Sequence, residues 1–177
     1  AILYGDSSND PLDGELQIAV GRLPVKNTQE ADEVVDKIIR YDTKREAMGD
    51  WRNRLVFVGD DDDGPLDSDH SKDADEVAEN VREASDVFNQ SKVYIDAFPQ
   101  ESTPGGERVP QATERINQSV FRGALVVTYL GHGGPKGWAQ ERILNISDIF
   151  SWENTDRLPI FLTATCTFAG YDDPTFV

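Results

Sequence analysis

The stretch Leu125-Val126-Val127-Thr128-Tyr129-Leu130-Gly131-His132-Gly133-Gly134 carries the clearest indication of how this chain is built. Its first six residues form an apolar run, rich in β-branched side chains, that ends in a glycine-rich turn. Short runs of this kind are typical of buried parallel strands. A second run, Pro159-Ile160-Phe161-Leu162-Thr163-Ala164-Thr165, leads into Cys166. Residues that follow the carboxyl ends of neighbouring parallel strands line one crevice, so we expect His132 and Cys166 to meet there.

The pattern of strands alternating with helices extends over the chain from Trp51 onward. It predicts strands over residues 54–59, 92–97, 125–130 and 159–164. It also predicts helices over 71–88 and 110–121, and a short helical turn beginning at Ser147. Such alternation indicates an α/β fold with a parallel sheet, right-handed crossovers and helices on both faces. The common doubly wound arrangement places the four strands in the order 2-1-3-4.

Residues 1–50 have a different pattern. Two short strand candidates, 2–4 and 16–20, precede a helix whose start carries Asn27 and Glu30 at the spacing of a capping box. We therefore expect residues 1–50 to be the end of a preceding α/β subdomain. Residues 51–177 would form a second subdomain, truncated shortly after Cys166.

Composition excludes several classes of function. The chain has 33 acidic and 17 basic residues and a net charge of −16, which disfavours binding to nucleic acid or to an anionic membrane. A single cysteine excludes an internal disulfide framework and a cysteine-rich zinc site. The longest apolar runs have about six to eight residues, well below the ~20 that span a bilayer, so no transmembrane segment is expected.

The pairing of a histidine with the only cysteine points to nucleophilic chemistry. A cysteine becomes a thiolate nucleophile beside a base or a cation, and His132 would supply both. The glycines around His132 leave room for a substrate carbonyl to approach backbone N–H donors. The alternative is that Cys166 is a small buried apolar residue. Asp60 and Asp61 follow the 54–59 strand, so either carboxylate could orient His132 as the third member of a triad.

Three further residues have two readings each. His70 is a rival base, although a histidine in a polar stretch at a helix start is usually solvated. Trp138 and Glu141 follow the glycine-rich turn closely. They would either wall a substrate pocket or serve only to pack the core and cap a backbone group.

The segment from Asp60 to His70 places six carboxylates within 11 residues. That density of oxygen ligands suggests Ca²⁺. The candidate metal ligands are Asp62, Asp63, Asp67 and Asp69, with Asp60 as a further one. Pro65 and Ser71 at the sixth and twelfth positions do not fit an EF-hand loop. The alternatives are a solvated acidic loop, or a loop whose field at the crevice favours basic substrates.

Several segments of the chain resemble one enzyme family. Residues 129–139 and 158–166, which contain His132 and Cys166, resemble the catalytic segments of gingipain-like cysteine peptidases. The resemblance extends through residues 18–25, 56–61, 96–100 and 172–174. Within that family, the segments are most similar to the signal peptidase and sortase of the type IX secretion system of Bacteroidota.

The resemblance implies a caspase-like fold and assigns roles to residues. His132 would be the base and Cys166 the nucleophile, with the backbone N–H groups of Gly133 and Cys166 as the oxyanion hole. The family's acid partner for the histidine matches no unique position, so Asp60 and Asp61 both stay open. No cofactor is required for the chemistry. Calcium is a candidate because gingipains bind it, but their ligands cannot be matched to this sequence.

The resemblance also implies partners and a location. The substrates would be cargo proteins that carry a C-terminal secretion signal. A thioester acyl-enzyme would pass to an amine of anionic lipopolysaccharide, in contact with type IX secretion components, on the outer membrane at the cell surface. Two other functions stay open: a secreted digestive endopeptidase of gingipain type, and a non-catalytic binding or scaffolding domain with an acidic calcium-binding loop.

Overall fold

The computed structural model describes residues 21–62, 64 and 69–168. The chain divides into two compact units, Ala1–Ile39 and Arg40–Val177. Three short 3₁₀ turns, Arg45–Ala47, Asp50–Asn53 and Ile95–Ala97, interrupt the regular elements. The helices are α1 (Thr28–Thr43), α2 (His70–Ala84), α3 (Pro110–Arg122) and α4 (Ile146–Phe150). The strands are β1 (Arg54–Gly59), β2 (Asn89–Tyr94), β3 (Glu101–Thr103), β4 (Gly106–Arg108), β5 (Val126–Leu130), β6 (Gly133–Gly134), β7 (Gly137–Trp138), β8 (Leu144–Asn145) and β9 (Ile160–Ala164).

The start of α1 follows the predicted capping pattern. The backbone N–H of Glu30 donates to Asn27 Oδ1 at 2.9 Å, which satisfies one of the free donors at the helix start. The Glu30 carboxylate accepts the backbone N–H of Lys26 at 2.8 Å and an Asn27 amide N–H at 2.9 Å. The two strand candidates at 2–4 and 16–20 lie outside the described residues.

The central sheet has four strands, all parallel, in the order β2-β1-β5-β9. In chain order this is 2-1-3-4, so the predicted topology is confirmed. The second strand begins three residues earlier than predicted, at Asn89, and a 3₁₀ turn takes its predicted last residues. Asn89, Gln90 and Ser91 have little intrinsic preference for strands, but pairing with β1 places them in the sheet.

Apolar residues cover both faces of the sheet. On one face, Val58 and Val127 pack in a core cluster that includes Ile116 of α3. On the other, Leu55 and Phe57 of β1 pack with Ala78 of α2. Adjacent residues of β1 therefore point into two different cores. This two-sided burial is the reason that β1 appears in the sequence as a continuous apolar run.

Two small antiparallel sheets were not predicted. Strands β3 and β4 form a hairpin, and β6, β7 and β8 form a three-stranded sheet directly after His132. The two-residue loop Pro135-Lys136 between Gly134 and Gly137 lacks the Asn-Gly or Asp-Gly signature of tight hairpins, so the sequence carries no strong signal for this turn. The three-stranded sheet folds the chain back onto the end of β5. No helix among residues 21–62, 64 and 69–168 is long and apolar enough to cross a membrane.

Candidate functional site

The site forms where β5 and β9 end side by side. Leu130, the last residue of β5, pairs with Ala164, the last residue of β9. The backbone N–H of Gly131 donates to the carbonyl of Ala164 at 3.3 Å. His132 and Cys166 each lie two residues beyond these paired ends. The parallel register therefore carries both residues to the same edge of the sheet.

The segment after His132 lies against the segment before Cys166. A Cβ atom built on Gly133 would lie 2.3 Å from Thr165 Oγ1, so only glycine permits this approach. Cys166 is a free, exposed cysteine. It is therefore not the buried apolar residue that composition alone would suggest. Thr167 follows with a φ of 41°, an uncommon conformation for a β-branched residue, so the chain turns sharply just after the cysteine.

Asp60 anchors the backbone of His132. Its Oδ2 accepts the His132 backbone N–H at 2.8 Å and the Tyr129 hydroxyl at 3.1 Å. The side chain is fully buried, and this burial raises the pKa of Asp60 to about 6, against the opposing effect of its hydrogen-bond donors. Gly131 makes the approach possible, since a Cβ there would lie 2.4 Å from Asp60 Cβ. These hydrogen bonds join Asp60 to the backbone of His132 and to Tyr129.

Two more carboxylates join Asp60. Asp61 is 9% exposed, and its Oδ2 accepts a hydrogen bond from the amide of Gln100 at 2.6 Å. Glu141 is 3% exposed, and one oxygen from each of Asp60, Asp61 and Glu141 lies within 4.8 Å of the others. Sequence analysis did not place Glu141 or Gln100 here. No spacing signal links them to the 54–59 strand, because long-range contacts bring them in.

The expected calcium ligands are engaged locally where the structure describes them. Asp62 is exposed and accepts the Gly64 N–H at 2.9 Å, and Asp69 caps α2 by accepting the Lys72 N–H at 2.9 Å. Asp63 and Asp67 lie outside the described residues. Neither Asp62 nor Asp69 belongs to the one potential metal-ligating group found among residues 21–62, 64 and 69–168.

That group is formed by Asp60, Asp61 and Glu141, and it does not fit calcium well. The ion takes about six to eight oxygen ligands. Here N–H and O–H groups of His132, Tyr129 and Gln100 already donate to the carboxylates of Asp60 and Asp61. Three carboxylates that each offer one ligand atom also fall short of that coordination number. We therefore derive no step of the chemistry through a metal.

Trp138 is fully buried in the main core cluster. Its ring stacks on Tyr129 at 4.3 Å with an interplanar angle of 6°. Of the two roles that the sequence left open for Trp138, this environment fits packing. Trp138 thereby holds in place Tyr129, whose hydroxyl donates to Asp60.

His70 lies beside the candidate base. It is the first residue of α2, and its ring meets the His132 ring edge to face, with centroids 5.1 Å apart and an interplanar angle of 82°. The side chain is partly buried. His70 is therefore not the solvated surface histidine that its polar sequence surroundings suggest. Sequence spacing gives no indication of the contact, because 62 positions separate the two histidines.

Comparison with known proteins agrees with this architecture. The model of peptidase family C25 matches residues 2–177. The crystal structure of the Arg-specific cysteine proteinase gingipain R superposes with a TM-score of 0.58 and 15% identity, covering 78% of this chain and 30% of that one. A complex of Porphyromonas gingivalis RgpB pro- and mature domains gives a TM-score of 0.60 and 16% identity, covering 80% and 31%. No curated protein sequence matches.

These comparisons define the fold. The parallel sheet with helices on both faces is the gingipain-type, caspase-like fold that the sequence predicted. The chain spans less than a third of the solved proteins that it resembles.

Proposed function

Because the chain belongs to peptidase family C25, we propose that it is a cysteine peptidase in which Cys166 is the nucleophile and His132 the general base. One observation carries the proposal: the pairing of Leu130 with Ala164 sends both residues to one edge of the sheet. The exposure of Cys166 leaves its sulfur accessible to a substrate. A thiol that acts with a neighbouring base needs both features, and it also needs the base within hydrogen-bond reach.

The proposed reaction has two steps. The Cys166 thiolate attacks the substrate carbonyl carbon, the peptide C–N bond breaks, and the amine leaves with a proton from His132. Water or an amine then attacks the resulting thioester and gives its proton to His132, the C–S bond breaks, and the thiolate returns. The backbone N–H groups of Gly133 and Cys166 would stabilise the oxyanion. Their segments lie together, since Gly133 approaches Thr165 closely.

Asp60 and Asp61 are proposed to support His132 in different ways. Asp60 holds the backbone N–H of His132 and the hydroxyl of Tyr129 with one oxygen. Asp61 follows it in the chain and is buried in the same carboxylate group. We assign the orienting role for the imidazole to Asp61, because the hydrogen bonds of Asp60 Oδ2 are directed to the chain framework.

We further propose that the complete protein is a PorU-type signal peptidase and sortase at the outer membrane. It would remove C-terminal secretion signals and transfer cargo to an amine of anionic lipopolysaccharide. The similarity of residues 129–139 and 158–166 to that group supports this assignment. A general secreted endopeptidase of gingipain type uses the same site with water as acceptor. A non-catalytic domain would keep the fold without turnover.

The test uses the full-length protein, iodoacetamide and a peptide bearing a C-terminal secretion signal. We expect rapid alkylation at Cys166, and turnover that is abolished in Cys166→Ser and falls roughly 100-fold or more in His132→Ala. Lys136→Ala, an exposed change in the same glycine-rich turn, is the control and should retain turnover. The product mass with and without an added amine identifies the acceptor. Full turnover in Cys166→Ser would reject the peptidase mechanism.

A further inference from the structure

We propose that His70 is a positioning residue that holds the imidazole of His132 in its working orientation. The proposal rests on the role of His132 given above. It assigns a function to a residue that is remote in sequence from both members of the dyad. Its basis is the edge-to-face contact of the two rings, with centroids 5.1 Å apart.

The contact has the geometry that aromatic pairs favour. Edge-to-face rings prefer centroid separations of about 4.5–7 Å, since the positive edge of one ring meets the negative face of the other. The observed interplanar angle of 82° is close to perpendicular. Rotation of the His132 ring about its bond to Cβ would break this arrangement. A fixed neighbour at this distance therefore restricts the ring.

His70 is fixed because the start of α2 is tied to the end of β1. Ser71 is buried, and its hydroxyl donates to the Asp60 carbonyl at 2.8 Å. Asp69 caps the helix by accepting the Lys72 N–H at 2.9 Å. These two hydrogen bonds hold the first turn of α2 in place. His70 lies between Asp69 and Ser71, whose side chains make them. The backbone that carries the His70 ring is therefore fixed in position.

The same residue, Asp60, anchors both histidines. Its carbonyl accepts from Ser71, next to His70, while its carboxylate accepts the backbone N–H of His132 at 2.8 Å. The separation between the two histidine backbones is therefore set by one buried side chain and its own main chain. Asp60 fixes the His132 backbone but not the rotation of its ring. The contact with His70 adds a restraint on the ring itself, beside the carboxylate assigned above to orient it.

The test compares His70→Ala with His70→Phe in the full-length protein, with kcat normalised to the Cys166 that iodoacetamide titrates. Loss of the ring should lower kcat about 10- to 100-fold with little change in KM, because misorientation affects the chemical step. Phenylalanine keeps a ring but cannot carry a proton, so it should recover most of kcat. Lys72→Ala, an exposed change in the same helical turn, should leave kcat unchanged.

A second readout follows the ring itself. With ¹³Cε1-labelled histidine, the His132 signal, assigned by its loss in His132→Gln, should show increased ring mobility in His70→Ala and restored order in His70→Phe. Unchanged kcat and ring order in His70→Ala would overturn the proposal. So would equal inactivity of the alanine and phenylalanine variants, which would make His70 a proton-transfer group. If Cys166→Ser keeps its turnover, the peptidase mechanism fails, while the NMR arm still judges the His70 contact.

Discussion

Asp60→Asn should remove a destabilisation of the folded protein that increases as pH rises. Asp60 is fully buried, and burial raises its pKa from 3.8 to about 6. The folded state therefore retains this proton to a higher pH than the unfolded state does. The free energy of unfolding consequently falls as pH rises from about 4 to about 6, and the reduction persists above that range. At roughly 1.4 kcal/mol per pKa unit, the full effect is about 3 kcal/mol.

Asparagine keeps most of the local contacts. Its amide oxygen can accept the His132 N–H and the Tyr129 hydroxyl, as Asp60 Oδ2 does. Its amide nitrogen replaces Oδ1, which accepts the Asp61 N–H at 3.2 Å, so one long hydrogen bond is lost. That loss does not depend on pH. The pH dependence of the difference in unfolding free energy between the parent and Asp60→Asn therefore reports the effect of the Asp60 charge.

The assay is urea unfolding of this chain and its variant at pH 4 and pH 7.5. Relative to the parent, Asp60→Asn should gain about 2.5 kcal/mol between the two pH values, because Asp60 of the unfolded chain is already more than half ionised at pH 4. Asp62→Asn makes the same chemical change on an exposed side chain and is the control. If the difference in unfolding free energy between parent and variant stays constant with pH, the buried charge of Asp60 does not destabilise the folded state, and the reasoning is refuted. A variant that loses relative stability as pH rises would mean that a nearby cation, such as the His132 imidazolium, dominates.

Two further substitutions test the site. Gly131→Ala should lower stability by about 1–3 kcal/mol and slow turnover, because its Cβ would lie 2.4 Å from Asp60 Cβ. In contrast, Gly134→Ala meets nothing within 4 Å and should melt close to the parent; equal melting of the two variants would contradict the steric argument. Asp61→Asn should lower peptide turnover by about 100-fold or more with an unchanged circular dichroism spectrum. Full turnover in this variant would move the orienting role away from Asp61.

The sheet could be predicted because its information is local. Three of the four strands are short apolar runs, and a helix lies in each connection between strands, so few parallel arrangements remain possible. That reasoning also places His132 and Cys166 at neighbouring strand ends. The bounds of β2 were harder to predict from the sequence, since Asn89, Gln90 and Ser91 enter the sheet only by pairing with β1. Its first residues are therefore specified by a neighbour and not by their own propensity.

The environments of the site residues were harder to predict. For the acidic loop, calcium binding was one of several alternatives. In the structure Asp62 accepts a hydrogen bond in a turn and Asp69 caps a helix, both through local hydrogen bonds. Asp60 and Asp61 were both candidates to orient the His132 ring, and Asp60 binds the backbone N–H of His132. In each case a nearby backbone donor takes the carboxylate, because unsatisfied N–H groups in turns and helix starts are strong partners.

The sequence alone determines the α/β class, the parallel strand order and the pair of strand ends that carry His132 and Cys166. These features follow from periodicity and from the handedness of crossovers, which are properties of short segments. Only the tertiary structure places Glu141 with Asp60 and Asp61, and His70 against His132. Such contacts join residues that are far apart in the chain, and their geometry depends on how helices and small sheets pack over the strand ends. No local pattern encodes that packing.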